Sequence, residues 1–595
     1  MPESDYKDLS KINTNIPQRR NAAVAGSRPI YGLDTETYRG NIFLLADSDH
    51  CYVDKDINVD TVIDFLFQKK YQNAVNVFFN IKYDAAVILK LLGNELYMYL
   101  KTRRLVFQHK DYRIKYIPNK CLTISKGHHS ISFYDIAQFY GTSLVDAYEK
   151  NIGPLPLWYM DLKGLRSEFS PRFYRRNTTK VRNYCFMDCE MTKRLGEKWL
   201  ELYHRAAGFY PLRLLSSGYL VEKAMVYRGL AFPKFGSIPY AIQELAYRAY
   251  SGGRFEMFKR GFIGRAYLYD VNSAYPDKIG NLPDLTDGEW VSSTTIDPDA
   301  ALGFFKIVTN VPDTKYVSPF PFRANHNLVF PAGKFVTYAT IEELRACNSD
   351  WYEILKSWQF IPNDHNYHPY KDFIDEYYAK KTELKEKGDP LHMPFKTMLN
   401  SIYGKTGETI LKGRSRIIGH FFMPVIFAHI TGATRAQLYR YVMQNGLEKD
   451  VVFMATDSVC TTRNLGMGSP KLGDFALKQS ADDLFCIQNG INRWNRKWKE
   501  RGIGMRNGKS VENFEIAECD GRLYMMLKVD RVTNLKSAII QNKISEIGAF
   551  REDKRKIDLN GDSKRLWLGK LASLQHDQYN DSISLSLTHL NKHQI

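Results

Sequence analysis

The chain has 595 residues and a mass of 68.9 kDa, enough for several domains at roughly 150 residues each. Hydrophobic residues at 44% and charged residues at 25% exclude a mostly disordered chain, and no apolar run approaches the roughly 18 residues that a membrane span needs. Lys and Arg total 83 against 65 Asp and Glu, a net charge of +18, so a polyanionic partner is expected, nucleic acid ahead of membrane. The 38 Tyr and 34 Phe suit base stacking as well as core packing. Eight Cys, none in a CxxC pair, argue against a disulfide scaffold or a zinc site and fit a reducing, intracellular compartment.

Residues 1–28 are polar and basic and read as a flexible lead-in. A strand from Arg28 to Leu33 runs into Asp34-Thr35-Glu36-Thr37. A second, Ala74 to Phe79, leads through Asn80 into an amphipathic helix from Lys82 to Leu92. Alternation at 131–134 gives another strand, and apolar spacing gives a helix from Val181 to Leu202. A second body opens with the strand Ala266 to Val271, followed over 277–370 by turn signals and short strands. Helices are expected from Tyr370 to Lys387, Pro394 to Tyr403 and Pro424 to Met443. The strand Val451 to Met454 then turns at Thr456-Asp457-Ser458 into a returning strand.

Carboxylates gather in two sets. Asp34 and Glu36, two apart in a strand, project to one side and need a cation or a proton to coexist. Asp84 follows at a strand-to-helix junction, and Tyr184 and Asp188, four apart, share a helix face. Taken alone, each has an ordinary reading: a solvated turn, a half-buried Tyr, an Asp pairing with Lys193. Together Asp34, Glu36, Asp84 and Asp188 could hold two divalent cations for phosphodiester hydrolysis, with Tyr184 bonded to the attacking water or the phosphate. In the second set Asp270 ends a strand and Asp457 tips a hairpin, a cradle suited to nucleotidyl transfer. Lys396, Asn400 and Tyr403 fall on one helix face, cationic at one end and aromatic at the other.

These residues resemble the motifs of a family B DNA polymerase with a proofreading exonuclease. DTET at 34–37, NIKYD at 80–84 and YCFMD at 184–188 are similar to the three exonuclease motifs. DVNSAYP at 270–276, KTMLNSIYG at 396–404 and ATDS at 455–458 are similar to polymerase motifs A, B and C, all six in the family's order. Tyr250-Ser251-Gly252-Gly253 resembles the YxGG linker of the protein-primed branch of viruses and linear plasmids, and Ser143-Leu144 its single-strand-binding segment. Motif C departs from the pattern, with Ala455 where an Asp is usual, and the usual KxY near the primer end appears as Arg522-Leu523-Tyr524.

The resemblance implies a multidomain α/β and α+β fold, an RNase H-like exonuclease domain at 29–205 followed by a right-hand polymerase at 206–595. Palm is expected at about 245–369 and 405–530, with an insertion within 277–370 that would meet a priming terminal protein, fingers at about 370–404 and thumb at about 531–595. It implies two Mg²⁺ (or Mn²⁺) per active site, on Asp270, Val271 and Asp457 and on Asp34, Glu36 and Asp188. Lys381 and Lys396 would bind the incoming dNTP, Tyr275 would bar a 2′-hydroxyl and Tyr403 would pack on the new base pair. Asn80, Ser143, Leu144, Tyr250, Gly252, Gly253, Arg522 and Tyr524 would contact primer-template or single-stranded DNA. Two rival readings are an exonuclease with a degenerate polymerase half, motivated by Ala455, and a non-catalytic nucleic-acid-binding protein.

Overall fold

The structure, a computed structural model, describes residues 2–14, 24–324, 327–412, 415–500, 515–519, 522–558, 564–569 and 579–586. The expected mixed, multidomain architecture is present. Residues 30–135 form an eight-stranded sheet whose central strands, Ile30–Tyr38, Val75–Phe78 and His129–Asp135, run parallel, with antiparallel strands on both sides. All four residues of Val75–Phe78 are buried, as a parallel strand covered on both faces requires. The helix Ile81–Lys90 follows it, and the long helix Thr178–Ala207 crosses the sheet and ends at Gly208 in the left-handed region. That crossing needs Gly32, because a Cβ there would sit 2.0 Å from the carbonyl oxygen of Cys189. The close approach sets Asp188 beside the Asp34 strand.

The second body is built on a nine-stranded sheet. Arg254–Met257 pairs with Val451–Thr456, which turns into Ser458–Thr461, which pairs with Lys259–Val271; Phe475–Gln488 lies on its other side. The helix Pro424–Gln444, buried along most of its length, packs beneath. Residues 288–362 add a separate four-stranded antiparallel sheet. The helices Lys371–Glu386 and His392–Thr406 form an antiparallel pair above the site. Lys405, at the end of the second, is buried against Glu222 at 2.7 Å, and Glu222 also meets His420 at 3.1 Å. This cluster holds Glu222 down to about 2, although burial alone would raise it. It ties the helix pair to the Ser217–Tyr227 helix of the connecting region.

Two expectations change. The lead-in is not loose where it is described: Ser4 N–H donates to the Val336 carbonyl at 2.9 Å, Leu9 is 1% exposed, and Ile12–Asn13 pairs with Ser415–Ile418. Polar composition suggested disorder, but two apolar side chains and backbone pairing bind the segment; residues 15–23 lie outside the described residues. The thumb boundary at 530 falls inside the strand Arg522–Val532, which forms a three-stranded sheet with Glu515–Cys519 and Phe550–Asp558. Beyond it, Tyr579–Ser584 returns to pair with Lys259–Val271, so the carboxy-terminal strands belong to two sheets. Residues 559–563, 570–578 and 587–595 of the expected thumb lie outside the described residues.

Candidate active sites

In the amino-terminal unit Glu36, Asp84 and Asp188 are buried and Asp34 is half-buried. The Thr35 hydroxyl donates to Asp84 Oδ1 at 2.6 Å, and the Tyr159 hydroxyl to Asp188 Oδ1 at 2.5 Å. Burial raises every one of these carboxyls. Asp34 rises well above the usual range, with Asp188, Asp84 and Glu36 adding repulsion, and Glu36 is pushed up to about 7 against the opposing pull of Arg166. Asp84 also reaches about 7, burial outweighing its bond from Thr35. Such a group of acids holds protons or a cation, because four bare charges with little solvent repel one another. Among the described residues Glu36 Oε1 is buried without a hydrogen-bond partner, as an atom reserved for a ligand would be. Ligand atoms of Asp34, Glu36 and Cys185 lie within 4.8 Å of one another. The oxygen donors are hard and suit a divalent cation of the magnesium kind.

Several contributors were not legible beforehand. Tyr159 stacks on Tyr184 with ring centroids 4.9 Å apart, and the Tyr184 hydroxyl is buried beside Tyr159 and Asp188. Arg166 Nε stands 4.0 Å from Glu36 Oε2. Cys185 places its Sγ 4.0 Å from Asp34 Oδ2; its position three before Asp188 on the same helix was the signal available. Asn80 is exposed, with φ of 68°, and its N–H donates to Asp135 Oδ1 at 3.0 Å, fixing the strand-to-helix turn. Ser143 is exposed and caps the Leu144–Asn151 helix by accepting from the Asp146 N–H.

In the second body the strand register brings Asp270 opposite Ser458, and Val271 N–H donates to the Asp457 carbonyl at 2.9 Å. Asp457, in the turn between Val451–Thr456 and Ser458–Thr461, is therefore a backbone neighbour of the end of the Asp270 strand. Thr456 and Ser273 flank them in the left-handed region, with φ of 65° and 50°. A β-branched residue there is strained, and such strain gathers at functional sites. Lys478, 58% exposed, forms an ion pair with Asp270 that sequence patterning did not disclose. Ala455 borders a cavity of about 310 Å³ with Leu268, Asn492 and Lys499.

The side chains expected to face a nucleotide converge on this point. Lys381 Nζ donates to Ser273 Oγ at 3.1 Å, and burial, then Lys385 and Lys396, push its ammonium down to about 8. Three lysines so placed favour an anion between them. Lys396 and Asn400 are exposed on the helix face that also carries Tyr403, as the spacing predicts. Tyr275 and Tyr403 have ring centroids 4.4 Å apart, and the Tyr403 and Tyr250 hydroxyls lie 3.1 Å apart. Gly252 has φ of 82°, and its carbonyl accepts from the buried Arg435; a Cβ on Gly253 would lie 3.0 Å from Thr456 and 3.3 Å from the Tyr275 hydroxyl. Tyr524 lies under Lys556 on the three-stranded sheet, which pairs with no strand of the catalytic sheet among the described residues; Arg522 is placed there by its strand alone.

Residues 174–420 match the family model described as DNA polymerase type B, organellar and viral. The chain is 26% identical over 469 residues to the DNA polymerase of Acidianus bottle-shaped virus (isolate Italy/Pozzuoli), covering 73% of this chain and 68% of that one. It is 24% identical over 275 residues to the DNA-directed DNA polymerase of Enterobacteria phage PRD1, covering 40% of this chain and 47% of the phage enzyme. Among solved structures it resembles Phi29 DNA polymerase complexed with primer-template DNA, at a TM-score of 0.60 and 16% identity, over 90% of this chain and 100% of that one. A ternary complex of Phi29 polymerase with incoming nucleotide gives a TM-score of 0.59 at 16% identity, over 90% and 100%. Among the described residues no helix is long and apolar enough to cross a membrane. With six motifs in order and the Asp457 turn beside the Asp270 strand, this chain is similar to DNA polymerases of family B, of the organellar and viral type.

Proposed function

We propose that the chain adds dNTPs to a primer 3′-hydroxyl at Asp270 and Asp457 and degrades single strands 3′→5′ at Asp34, Glu36, Asp84 and Asp188. The observation that carries this reading is the presence of two separate carboxylate clusters, each at a strand end. Mg²⁺, two ions per site, would be held by Asp270, Val271 and Asp457 and by Asp34, Glu36 and Asp188, and would supply Lewis-acid activation and charge neutralisation. Lys381 and Lys396 orient the triphosphate. Tyr275, packed against Tyr403, fills the space a 2′-hydroxyl would need. In the degrading site Tyr184 donates to the scissile phosphate or the attacking water, and Arg166 balances charge beside Glu36. Tyr250, Gly252 and Gly253 line the template, Asn80, Ser143 and Leu144 meet the single strand, and Arg522 and Tyr524 steady the primer.

The partners are thus primer-template and single-stranded DNA and dNTPs, within a host cell. The sparse cysteine content, eight in 595 residues with no CxxC pair, suits a reducing compartment. The separate sheet within 288–362 is offered as the contact for a priming terminal protein, as the protein-primed resemblance suggests. The test is to incubate the pure enzyme with Mg²⁺ and dNTPs on a primed template, an unprimed template, and an unprimed template with a candidate priming protein. Extension of the primed template and trimming of single strands without dNTPs are expected; synthesis without trimming removes the exonuclease half.

A further inference from the structure

The amino-terminal segment is fastened over the Tyr250–Gly253 turn. Asp5 N–H donates to the Arg323 carbonyl at 2.9 Å, and Arg323 N–H to Ser4 Oγ at 2.8 Å. Tyr6 meets Tyr338 edge-on, with its ring centroid 4.1 Å from the Arg248 guanidinium. Further along, Leu9 and Ile12 enter the largest core cluster and Ile12–Asn13 extends the 409–418 hairpin. Anchored on both sides, the arm carries Lys7 onto Tyr250, its Nζ 3.7 Å from the ring centroid. Arg323 Nη2 reaches the Ser251 carbonyl of the same turn at 3.1 Å.

This arrangement is costly for a protein alone. Burial, with Arg323 adding repulsion, brings the Lys7 ammonium down to about 8, and burial also lowers Arg323. Among the described residues Lys7 makes no ion pair, and the carboxylate acting on Arg323 is that of the exposed Asp5. An apolar side chain would cover Tyr250 without that penalty. Two cations held near one another by a fixed backbone, one over the Tyr250 ring and one on the adjoining Ser251 carbonyl, match a phosphodiester whose base stacks nearby.

We propose that Lys7 and Arg323 form a phosphate-binding pocket for the templating strand, making the amino-terminal arm part of the polymerase's grip on DNA. The proposal rests on the reading of Tyr250–Gly253 as a template contact and adds residues that no motif includes. Phosphate could also arrive on an incoming dNTP, so the test separates the two sources. Primer-template affinity is measured for the full chain, Lys7→Gln and Lys7→Arg across a salt series, with dNTP KM and single-strand degradation alongside. Lys7→Gln should weaken primer-template binding several-fold and flatten the log–log salt slope by about 0.7–0.9, one phosphate contact, while Lys7→Arg restores both. The dNTP KM and single-strand degradation should not move.

Unchanged affinity and slope would overturn the pocket. Tighter binding would overturn it too, because the arm would then cover the turn rather than serve it, and so would a loss confined to dNTP KM. If Lys7→Gln loosens the arm, amine-reactive labelling of Lys7 in the unaltered chain decides: primer-template should protect it, and undiminished labelling sinks the proposal. A chain that fails to extend any primer contradicts the wider functional reading, whereas normal extension with an indifferent Lys7 contradicts this inference alone.

Discussion

Without metal, the amino-terminal unit should lose stability as pH rises. Glu36 and Asp84 are each pushed up to about 7, so the folded chain binds these protons more tightly than the unfolded chain, where carboxyls titrate near about 4. Their protonation therefore stabilises fully below about pH 4, and that stability is lost as pH climbs through about 7. For Glu36, 2% exposed, the difference is on the order of 3 kcal/mol. Asp34 and Asp188 repel the same groups, so the effects of Glu36 and Asp84 overlap and one site's worth is the expectation. For a unit of this size that is roughly 6–12 °C in Tm. The assay is thermal melting from about pH 5 to about pH 8, in EDTA and in Mg²⁺. In EDTA Tm should fall with pH, and Mg²⁺ should restore it at the alkaline end. Glu36→Gln should flatten the EDTA profile and shrink the Mg²⁺ response. A level EDTA profile, or a Tm that rises with pH, would refute the account of a cation-demanding acid cluster.

Other expectations concern the polymerase site. Asp457→Ala should lower dNTP incorporation by roughly 10³-fold while single-strand degradation persists, because the hairpin tip and not Ala455 supplies the carboxylate; primer extension with labelled dNTPs reads it. Tyr275→Val should reduce discrimination against ribonucleotides by roughly 10- to 100-fold, seen as the ratio of kcat/KM for dNTP and NTP, since the ring packed on Tyr403 would no longer fill that space. Lys478→Ala should lower the Mg²⁺ needed for half-maximal synthesis about 2- to 5-fold, as befits an exposed pair of at most about 1 kcal/mol. An unchanged or raised requirement would mean that Lys478 does not compete for Asp270.

Much of the site could be read directly from the chain. Two-residue alternation put Asp34 and Glu36 on one side of a strand, four-residue spacing put Tyr184 and Asp188 on one helix face, and both stand so in the fold. The Lys396, Asn400 and Tyr403 face is likewise a property of a single helix. Order and spacing of six motifs then carried the resemblance, because each is local in the chain. The amino-terminal arm was misjudged for a related reason: its few apolar residues make no local pattern, and only the surfaces around Arg323, Val336 and the 415–418 strand give them somewhere to go.

Sequence by itself determined which side each acidic group faces, since that follows from backbone period alone. Tertiary structure decided what stands opposite. The pairing of Asp270 with Ser458 joins strands nearly two hundred residues apart, and its register is set by packing of the sheet over the Pro424–Gln444 helix. Lys478 on Asp270, Arg166 beside Glu36, Tyr159 on Asp188 and Lys7 on Tyr250 are contacts of the same long-range kind. No periodicity encodes them, because they depend on how separately formed elements bury their apolar faces against one another.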